Sequence, residues 1–249
     1  MRCFSMFFLL MLVSSIACGA EELDKQNIIN IKVVTEDTFP LQYLENGKIT
    51  GPATSLVEQV LLAAGVTYDI AVLPWARAYQ LALTEANILI YSLAKTTARL
   101  NEFKWVGRIM ALDYYLYGAS DSEINLQTSL EALKQYQIGT VRDSAVERYL
   151  RDNGFKKLTT VVQGKQNFFL FQQNRIELFP ANKSSFQAIC LQDAFNCHNL
   201  KPLYKLDISS IELYMAFSQL TDDAMVEKVR AGYKEVMKKR KNLHDIGIN

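Results

Sequence analysis

The segment that decides the fold is residues 88–107, ILIYSLAKTTARLNEFKWVG. Its first part, Ile88 to Leu93, is a largely apolar run, which is typical of a strand buried in a parallel sheet. The polar stretch Thr96-Thr97-Ala98-Arg99 follows, and Phe103-Lys104-Trp105-Val106-Gly107 comes next. Because ligands bind beyond the carboxyl ends of strands in open α/β sheets, Arg99 becomes a candidate for binding a small molecule.

The sequence before this segment alternates between strands and helices. Apolar residues alternate with polar ones over residues 29–33 and again over 68–72, as in strands. Between them, Ser55-Leu56-Val57-Glu58 has the form of a capping box and predicts a helix that continues to Ala64. Residues 75–83 indicate a second helix. The resulting order, βαβαβ, favours a parallel sheet with helices on its faces.

The alternation restarts after a strand expected at residues 110–118. Ser144 and Glu147 form a second capping box, which predicts a helix ending at Gly154. The later elements are a strand at Ile176 to Phe179, a helix from about Asn182 to Gln192, strands at Leu203 to Leu206 and Ile211 to Phe217, and a helix from Asp222 to about Lys241. Two α/β runs of similar size predict two lobes with a cleft between them.

The first twenty residues have the pattern of a secretory signal peptide. Arg2 precedes an apolar run over residues 4–16, and the small residues Ala17 to Ala20 follow. The run is shorter than the roughly 20 residues that a membrane span needs, which favours cleavage after Ala20 over a membrane anchor. Lipid attachment at Cys18 is a second alternative, although Ser15 makes a poor lipoprotein motif. The expected location is the periplasm.

Composition argues against several classes of protein. The 27 basic and 26 acidic residues give a net charge of +1, which provides no basic footprint for nucleic acid. The two cysteines that survive cleavage, Cys190 and Cys197, indicate one small disulfide loop in an oxidising compartment. A metal site that adds His198 lacks the ligands for closed four-coordinate binding. We expect no metal, no cofactor, no nucleic-acid partner and a monomer.

The mature sequence resembles the family 3 extracellular solute-binding proteins, the periplasmic receptors that deliver polar amino acids to ABC importers. The resemblance extends from about Ile28 to about Lys241 and rests on the order and spacing of its segments. These are Thr35 with Phe39-Pro40-Leu41-Gln42-Tyr43, the turn at Gly51, Pro74-Trp75-Ala76-Arg77, Thr96-Thr97-Ala98-Arg99, and Phe103-Lys104-Trp105-Val106-Gly107.

The resemblance implies two α/β lobes joined by crossing strands that hinge around a ligand. The second lobe is inserted in the first, and the last helix returns to the first lobe. The expected divisions are a signal peptide at 1–20, lobe 1 at 21–113 and 208–249, and lobe 2 at 114–207. The crossings are expected near Tyr114 to Gly118 and near Leu203 to Ser210.

The resemblance also implies a site for an amino acid. Arg99, with Thr96 beside it, would bind the carboxylate through the paired donors of its guanidinium. Ser144 would contact the same carboxylate from a helix N-terminus, a position that also suits it to be a helix cap alone. Asp143 stands where the family prefers glycine. Asn182 stands where the family has the aspartate that meets the ammonium, and asparagine carries no charge.

The neutral Asn182 leaves two possibilities open. Either Glu36 or Asp37 meets the ammonium, or the ligand is a carboxylate of another kind. The expected aromatic residues at the cleft are Phe39, Tyr43, Trp75 and Tyr114, the last at the hinge, where its position favours a packing role. Arg77 would either reach the cleft or brace its lobe.

These observations predict a periplasmic protein, not an enzyme, that captures a small polar carboxylate-bearing solute and delivers it to an ABC importer. One alternative is a sensor subunit that acts through a separate membrane protein. The other is a cleft enzyme of the same fold, such as a cyclohexadienyl dehydratase, with Glu36 or Asp37 as its acid or base. Neither His198 nor His244 is accompanied by a nucleophile elbow, and no dinucleotide or P-loop motif is present.

Overall fold

The computed structural model describes residues 30–125, 127–191, 196–208 and 211–245. The expected signal peptide at 1–20, the lipid attachment at Cys18 and the part of the second hinge crossing at 209–210 lie outside these residues and stay predictions.

The described chain forms twelve strands and six α-helices. The strands are β1 Asn30–Thr35, β2 Tyr43–Glu45, β3 Lys48–Thr50, β4 Thr67–Val72, β5 Ile88–Ala94, β6 Phe103–Leu112, β7 Tyr114–Ala119, β8 Ile138–Val141, β9 Leu158–Val161, β10 Phe179–Asn182, β11 Leu200–Lys205 and β12 Ile211–Ser218. The helices are α1 Pro52–Ala63, α2 Trp75–Thr84, α3 Ala145–Asp152, α4 Gln166–Gln172, α5 Lys183–Cys190 and α6 Asp223–Asp245.

One five-stranded sheet, ordered β4-β1-β5-β12-β6, organises the first part of the chain and the last. β1, β4 and β5 are parallel, while β12 runs antiparallel to both β5 and β6. Every residue of β5 is buried, which explains the apolar run from Ile88 to Leu93. The mixed α/β architecture that the sequence predicts is confirmed.

The middle of the chain builds a second body from two smaller sheets. β10 and β11 flank β7 in antiparallel pairing, and β8 pairs with β9 in parallel. A bridge between Ile138 and Leu178 joins the two sheets. At the end of α5, Cys190 and Cys197 form the expected disulfide, with an S–S distance of 2.07 Å.

We call the body built on the five-stranded sheet lobe 1 and the body built on β7–β11 lobe 2. The two bodies meet where β6 passes into β7 at Asp113, and Lys205 pairs with Asp113 across this junction at 3.0 Å. The exact limits at residues 113–114 and 207–208 stay a prediction.

Three local predictions are wrong. Ser55 does not cap α1, because the helix begins earlier, at Pro52 after Gly51; proline is favoured in the first turn, where no backbone N–H is needed. The strand expected at 110–118 is two strands, separated at Asp113. The strand expected at Ile176 to Phe179 begins at Phe179 and runs to Asn182, because Phe179 to Asn182 pair with β7.

Two searches of the described residues give negative findings. No helix among them is long and apolar enough to cross a membrane. Within the same residues, no three His, Cys, Asp or Glu side chains cluster in a way that could hold a metal ion.

Gly232 fixes the approach of α6 to α1. A Cβ atom at this position would lie 2.6 Å from the carbonyl oxygen of Val60 and 2.9 Å from the amide nitrogen of Ala64. Both are backbone atoms, one in α1 and one in the residue that follows it, so they cannot move aside as a flexible side chain would. We therefore expect Gly232→Ala to lower the free energy of unfolding by about 1–3 kcal/mol, measured by urea denaturation.

The matched control is Ala231→Ser, at the exposed neighbouring position of α6. It should change the free energy of unfolding by less than about 0.5 kcal/mol. Equal urea midpoints for Gly232→Ala and Ala231→Ser would contradict the close contact between the helices.

Candidate functional site

A cavity of about 350 Å³ lies between the two lobes. Its wall follows the carboxyl ends of β1, β5, β8 and β10, where the chain leaves each strand. The lining residues used below are Glu36, Asp37, Thr38, Phe39, Tyr43, Ser92, Trp75, Arg99, Tyr114, Ser144, Lys165, Phe168, Asn182 and Ser185. The volume falls within the range that small-molecule sites occupy.

Arg99 is the most deeply buried charged group of this wall, with 1% of its surface exposed. It lies in a 3-10 turn, Thr97–Arg99, directly after β5. Its Nη1 donates to the carbonyl of Ala94 at 3.4 Å and its Nη2 to the carbonyl of Asp143 at 2.9 Å. Nε has no hydrogen-bond partner among the described residues. Burial lowers the pKa of Arg99 from its usual value.

Two aromatic rings of α2 cover the Arg99 guanidinium. Its Cζ lies 4.7 Å from the centroid of the Tyr79 ring and 5.6 Å from that of Trp75. The two rings stack on each other with their centroids 5.9 Å apart, and the Tyr79 hydroxyl donates to Glu102. The rings therefore replace part of the solvation that the cation loses on burial.

Asp143 contributes its backbone, not its carboxylate, to the junction between the lobes. Its φ of +59° lies in the left-handed region that glycine adopts at no cost, which agrees with the family preference for glycine here. Its amide donates to the Glu147 carboxylate at 2.6 Å, and its carbonyl accepts from Arg99 and, at 3.0 Å, from Nε1 of Trp75. The Asp143 carbonyl thus receives two donors from lobe 1.

Ser144 caps α3 as the sequence predicts. Its Oγ accepts from the amide of Glu147 at 3.1 Å, so the hydroxyl hydrogen remains to be donated into the cavity that Ser144 lines. The helix-cap role and a binding role are compatible in this geometry. Glu147 itself is buried and is fixed by Arg151 at 2.7 Å.

Glu36 follows β1 and carries the most strongly shifted carboxyl group of the cavity. Burial raises its pKa to about 7; a hydrogen bond from Thr38 acts in the opposite direction, and the negative charge of Asp37 raises it further. Burial, joined by the charge of Glu36, also raises the pKa of the Tyr114 phenol to about 12. Near neutral pH, the Glu36 carboxyl is therefore present in both its neutral and its ionised form.

Both polar atoms of the Asn182 side-chain amide form hydrogen bonds with Ser185, three residues later. Its Oδ1 accepts from the amide of Ser185 at 2.9 Å and its Nδ2 donates to Oγ of Ser185 at 3.0 Å, which caps α5. The side chain also interacts with the phenol of Tyr114. Glu36 and Asn182 therefore flank Tyr114, one from each lobe.

The structure brings most of the sequence-predicted residues together, but not all. Phe39, Tyr43 and Trp75 line the cavity, and the rings of Phe39 and Tyr43 meet edge to face at 4.6 Å. Arg77 is exposed and lies off the cavity wall. Thr96 also lies off the wall, and its Oγ1 is buried without a hydrogen-bond partner among the described residues.

Sequence reasoning did not predict roles at the site for Tyr79, Phe168 and Ser92, and it gave Glu147 a role only in the capping box of α3. Tyr79 and Glu147 hold other residues of the junction in place, and Phe168 and Ser92 line the cavity. Tyr79 could have been found, because it lies one helical turn after Trp75 on the same face of α2. No sequence pattern indicated a role for Ser92, a single polar residue within an apolar strand. Its φ of +57° and its hydrogen bond to Gln42 arise from tertiary contacts.

Comparison with solved structures identifies the fold. A histidine kinase sensor domain with similarity to periplasmic binding proteins superposes with a TM-score of 0.75 at 17% identity, covering 85% of this chain and 92% of that one. ArtJ from the thermophilic bacterium Geobacillus stearothermophilus, an arginine-, lysine-, histidine-binding protein, gives 0.72 at 15% identity, covering 86% and 91%. Holo ArgBP from T. maritima gives 0.70 at 15% identity, covering 84% and 90%.

The chain has the two-lobed fold of the periplasmic binding proteins. The resemblance that its sequence motifs carry is therefore confirmed at the level of the fold. No family model matches the sequence, and no curated protein matches it. In a periplasmic-binding-protein fold, the cavity between the lobes is a ligand-binding cleft.

The raised pKa of Glu36 should make the stability of the folded protein depend on pH. Because its pKa rises from 4.5 to about 7 on folding, the neutral carboxyl is favoured in the folded state. Its stabilising contribution is complete below about pH 4.5 and is lost as the pH rises through about 7. Glu36→Gln keeps a neutral side chain at every pH, so we expect its Tm to exceed that of the wild type increasingly between pH 5 and pH 8.

The difference should reach a few degrees, since 1 kcal/mol shifts Tm by about 2–4 °C in a chain of this size. Glu45→Gln is the control, because Glu45 is exposed and lies off the cavity wall. If Glu36→Gln and Glu45→Gln give the same pH profile, the carboxyl of Glu36 is not held in its neutral form.

Proposed function

We propose that this protein captures a small polar carboxylate-bearing solute, an amino acid, by closure of its two lobes in the periplasm, and delivers it to an ABC importer. The observation that carries the proposal is the cleft itself, whose wall includes both a buried guanidinium, on Arg99, and a titratable carboxyl, on Glu36. An amino acid needs one group of each kind, because it carries both a carboxylate and an ammonium.

Arg99, Ser144 and the α3 N-terminus provide the carboxylate side of the site. The unpaired Nε of Arg99 and the hydroxyl of Ser144 are donors that a carboxylate would satisfy. The rings of Tyr79 and Trp75 hold the guanidinium in one orientation. A carboxylate bound there would also restore the pKa of Arg99 toward its usual value, because it adds a compensating charge.

Glu36 provides the ammonium side of the site in place of the aspartate that Asn182 replaces. An ammonium beside Glu36 would favour the ionised carboxylate, so binding would release the proton that the buried carboxyl holds below about pH 7. Phe39 and Tyr43 lie next to this group in the lining and offer ring faces to the cation or to an apolar side chain.

A thermal-shift panel tests the solute class. The mature protein is mixed with each of the twenty L-amino acids, short dicarboxylates, keto acids and polyamines. A solute at 100 times its Kd should stabilise the folded protein by about 2.7 kcal/mol, which appears as a raised Tm. Shifts from α-amino acids support the proposal. Shifts confined to acids without an amine, or to amines without an acid, would contradict the amino-acid assignment.

Affinity for the amino acid that gives the largest shift should depend on pH through Glu36. We expect binding to weaken by up to about tenfold per pH unit as the pH falls below about 7. In Glu36→Gln, calorimetric titration should give weaker binding with no such dependence. Adding Asn182→Asp to this variant should recover part of the affinity, because it returns a negative charge to the other side of Tyr114. No recovery, with the pH dependence retained in Glu36→Gln, would rule out this role of Glu36.

Removal of the Arg99 donors should abolish binding. Arg99→Met retains the length and apolar stem of the side chain, so we prefer it to Arg99→Ala, which would leave a void in a fully buried position. We expect at least a tenfold loss of affinity by calorimetry, the effect of about 1.4 kcal/mol. Arg175→Ala, at an exposed arginine of lobe 2, should bind as the wild type does. Equal affinities for the two variants would contradict the assignment.

A sensor role is the second candidate, and the superposition on the histidine kinase sensor domain favours it. The two roles differ in what a cell loses. Deletion of an importer subunit abolishes uptake of the radiolabelled solute, whereas deletion of a sensor subunit leaves uptake through existing importers and changes gene expression. Normal uptake in a deletion strain would therefore favour the sensor.

We propose binding without turnover. A dehydratase-like alternative would use Glu36 as its acid or base, for which a pKa near 7 is suitable. Prolonged incubation of the protein with each bound solute, followed by chromatography, distinguishes the two cases: unchanged solute supports binding, and a new product that Glu36→Gln fails to form would establish an enzyme.

A further inference from the structure

The two lobes contact each other directly through hydrogen bonds between protein groups, which we call the junction. The carbonyl of Asp143, in lobe 2, accepts from Nη2 of Arg99 at 2.9 Å and from Nε1 of Trp75 at 3.0 Å, both in lobe 1. Trp75 and Arg99 are 3% and 1% exposed. Hydrogen bonds this well shielded from water are worth more than surface ones.

Each member of the junction is oriented by other contacts. The left-handed backbone of Asp143 and the bond from its amide to Glu147 direct its carbonyl toward lobe 1. The Trp75 ring is held by stacking on Tyr79. Val141, at the end of β8, packs against the same apolar cluster of lobe 1 that contains Trp75. The donors and the acceptor are thus in place before they meet.

Among the described residues, the charged side chains around the Asp143 carbonyl form no ion pair between the lobes. Arg148 of lobe 2 lies near Arg99 and Tyr79 and contributes to lowering the pKa of Arg99, so like charges oppose closure. Glu102, which reaches Arg99 through Tyr79, belongs to lobe 1. The attraction across the junction therefore depends on the Asp143 carbonyl and on apolar packing.

We propose that Arg99, Trp75 and the Asp143 carbonyl form a latch that closes the two lobes on each other without any solute. Like a solute carboxylate, the Asp143 carbonyl offers Arg99 an oxygen acceptor. Its two donors, on Arg99 and Trp75, belong to the same chain. The inference rests on the proposed function only for the hinge motion of the lobes. It does not depend on which solute binds, and the resting protein therefore populates the closed form.

The latch also gives Arg99 a second role. A solute carboxylate that takes the N–H now donated to Asp143 displaces that carbonyl, whereas one that binds Nε and the second N–H of Nη2 leaves the latch intact. When the Asp143 carbonyl is displaced, the binding free energy of the solute is reduced by the free energy of the Arg99–Asp143 hydrogen bond that is lost.

The test uses the indole N–H groups of Trp75 and Trp105, the two tryptophans of the chain. Both donate to a backbone carbonyl: Trp75 to Asp143 across the lobes at 3.0 Å, and Trp105 to Leu100 within lobe 1 at 2.9 Å. In ¹⁵N-labelled mature protein without added solute, Trp75→Phe and Trp105→Phe assign the two signals. Exchange of each N–H with water is then measured by NMR.

We expect the Trp75 N–H to be protected in the wild type. Arg99→Met should raise its exchange rate by at least about tenfold, because a hydrogen bond from a charged donor is lost. The Trp105 signal of the same sample should not change. Arg99→Lys, which keeps the charge with a different donor geometry, is the second variant if Arg99→Met does not fold, and it should raise the rate in the same direction.

Small-angle X-ray scattering of the wild type without solute provides an independent measurement. Its curve should agree with the one calculated from the closed lobes. A curve that requires separated lobes, a Trp75 N–H that exchanges as free indole does, or a rate unchanged in folded Arg99 variants would each overturn the latch. None of these results would affect the solute titrations, which test the proposed function separately.

Discussion

The burial of one positive charge, on Arg99, is the constraint on which the rest of the cleft depends. Moving a charged group out of water is costly unless polar partners replace the water. Among the described residues Arg99 forms no salt bridge; it uses two carbonyl groups and two aromatic faces instead. One of these carbonyls comes from the other lobe, so the solvation of this side chain is complete only when the lobes are together.

The need to provide polar partners for the buried Arg99 also determines how the neighbouring strands and helices are placed. The buried strand β5 must end at the lobe junction to deliver the 3-10 turn that carries it. Helix α2 must present Trp75 and Tyr79 on one face, and β8 must lead into a turn whose carbonyl points out of lobe 2. Glu147 then serves two purposes, since its backbone amide donates to the Ser144 cap of α3 and its carboxylate fixes the Asp143 amide.

Glu36, the acidic group of the cleft, responds to burial differently from Arg99, because it can lose its charge. Glu36 has Thr38 as a partner but no cation among the described residues that lowers its pKa, so burial dominates and the neutral form is favoured. A buried arginine keeps its charge because its intrinsic pKa is far above neutrality, whereas a glutamate can give its charge up. The cleft therefore combines a permanent cation with an acid whose charge depends on pH, and the proposed amino-acid ligand requires both groups.

The sequence by itself determined the fold class and most of the cleft. Strand and helix periodicity predicted two α/β lobes, because periodicity depends only on spacing along the chain, and the cysteine pair predicted the disulfide. The resemblance carried by Phe39-Pro40, Trp75 and Arg99 implied which residues line the cleft. The resemblance also indicated Asp143 and Asn182 as the residues at which this chain differs from the pattern, with Glu36 or Asp37 as the acid that could compensate.

Only the tertiary structure decided how those residues are used. That Asp143 acts through its carbonyl, that Arg99 spends one donor on the other lobe, and that Arg77 lies outside the cavity all depend on how two lobes meet. The extent of β10 likewise depends on its pairing with β7, to which it is not adjacent in sequence. Backbone carbonyls look identical at every position of a sequence, so a contact made by one of them becomes visible only when the chain is folded.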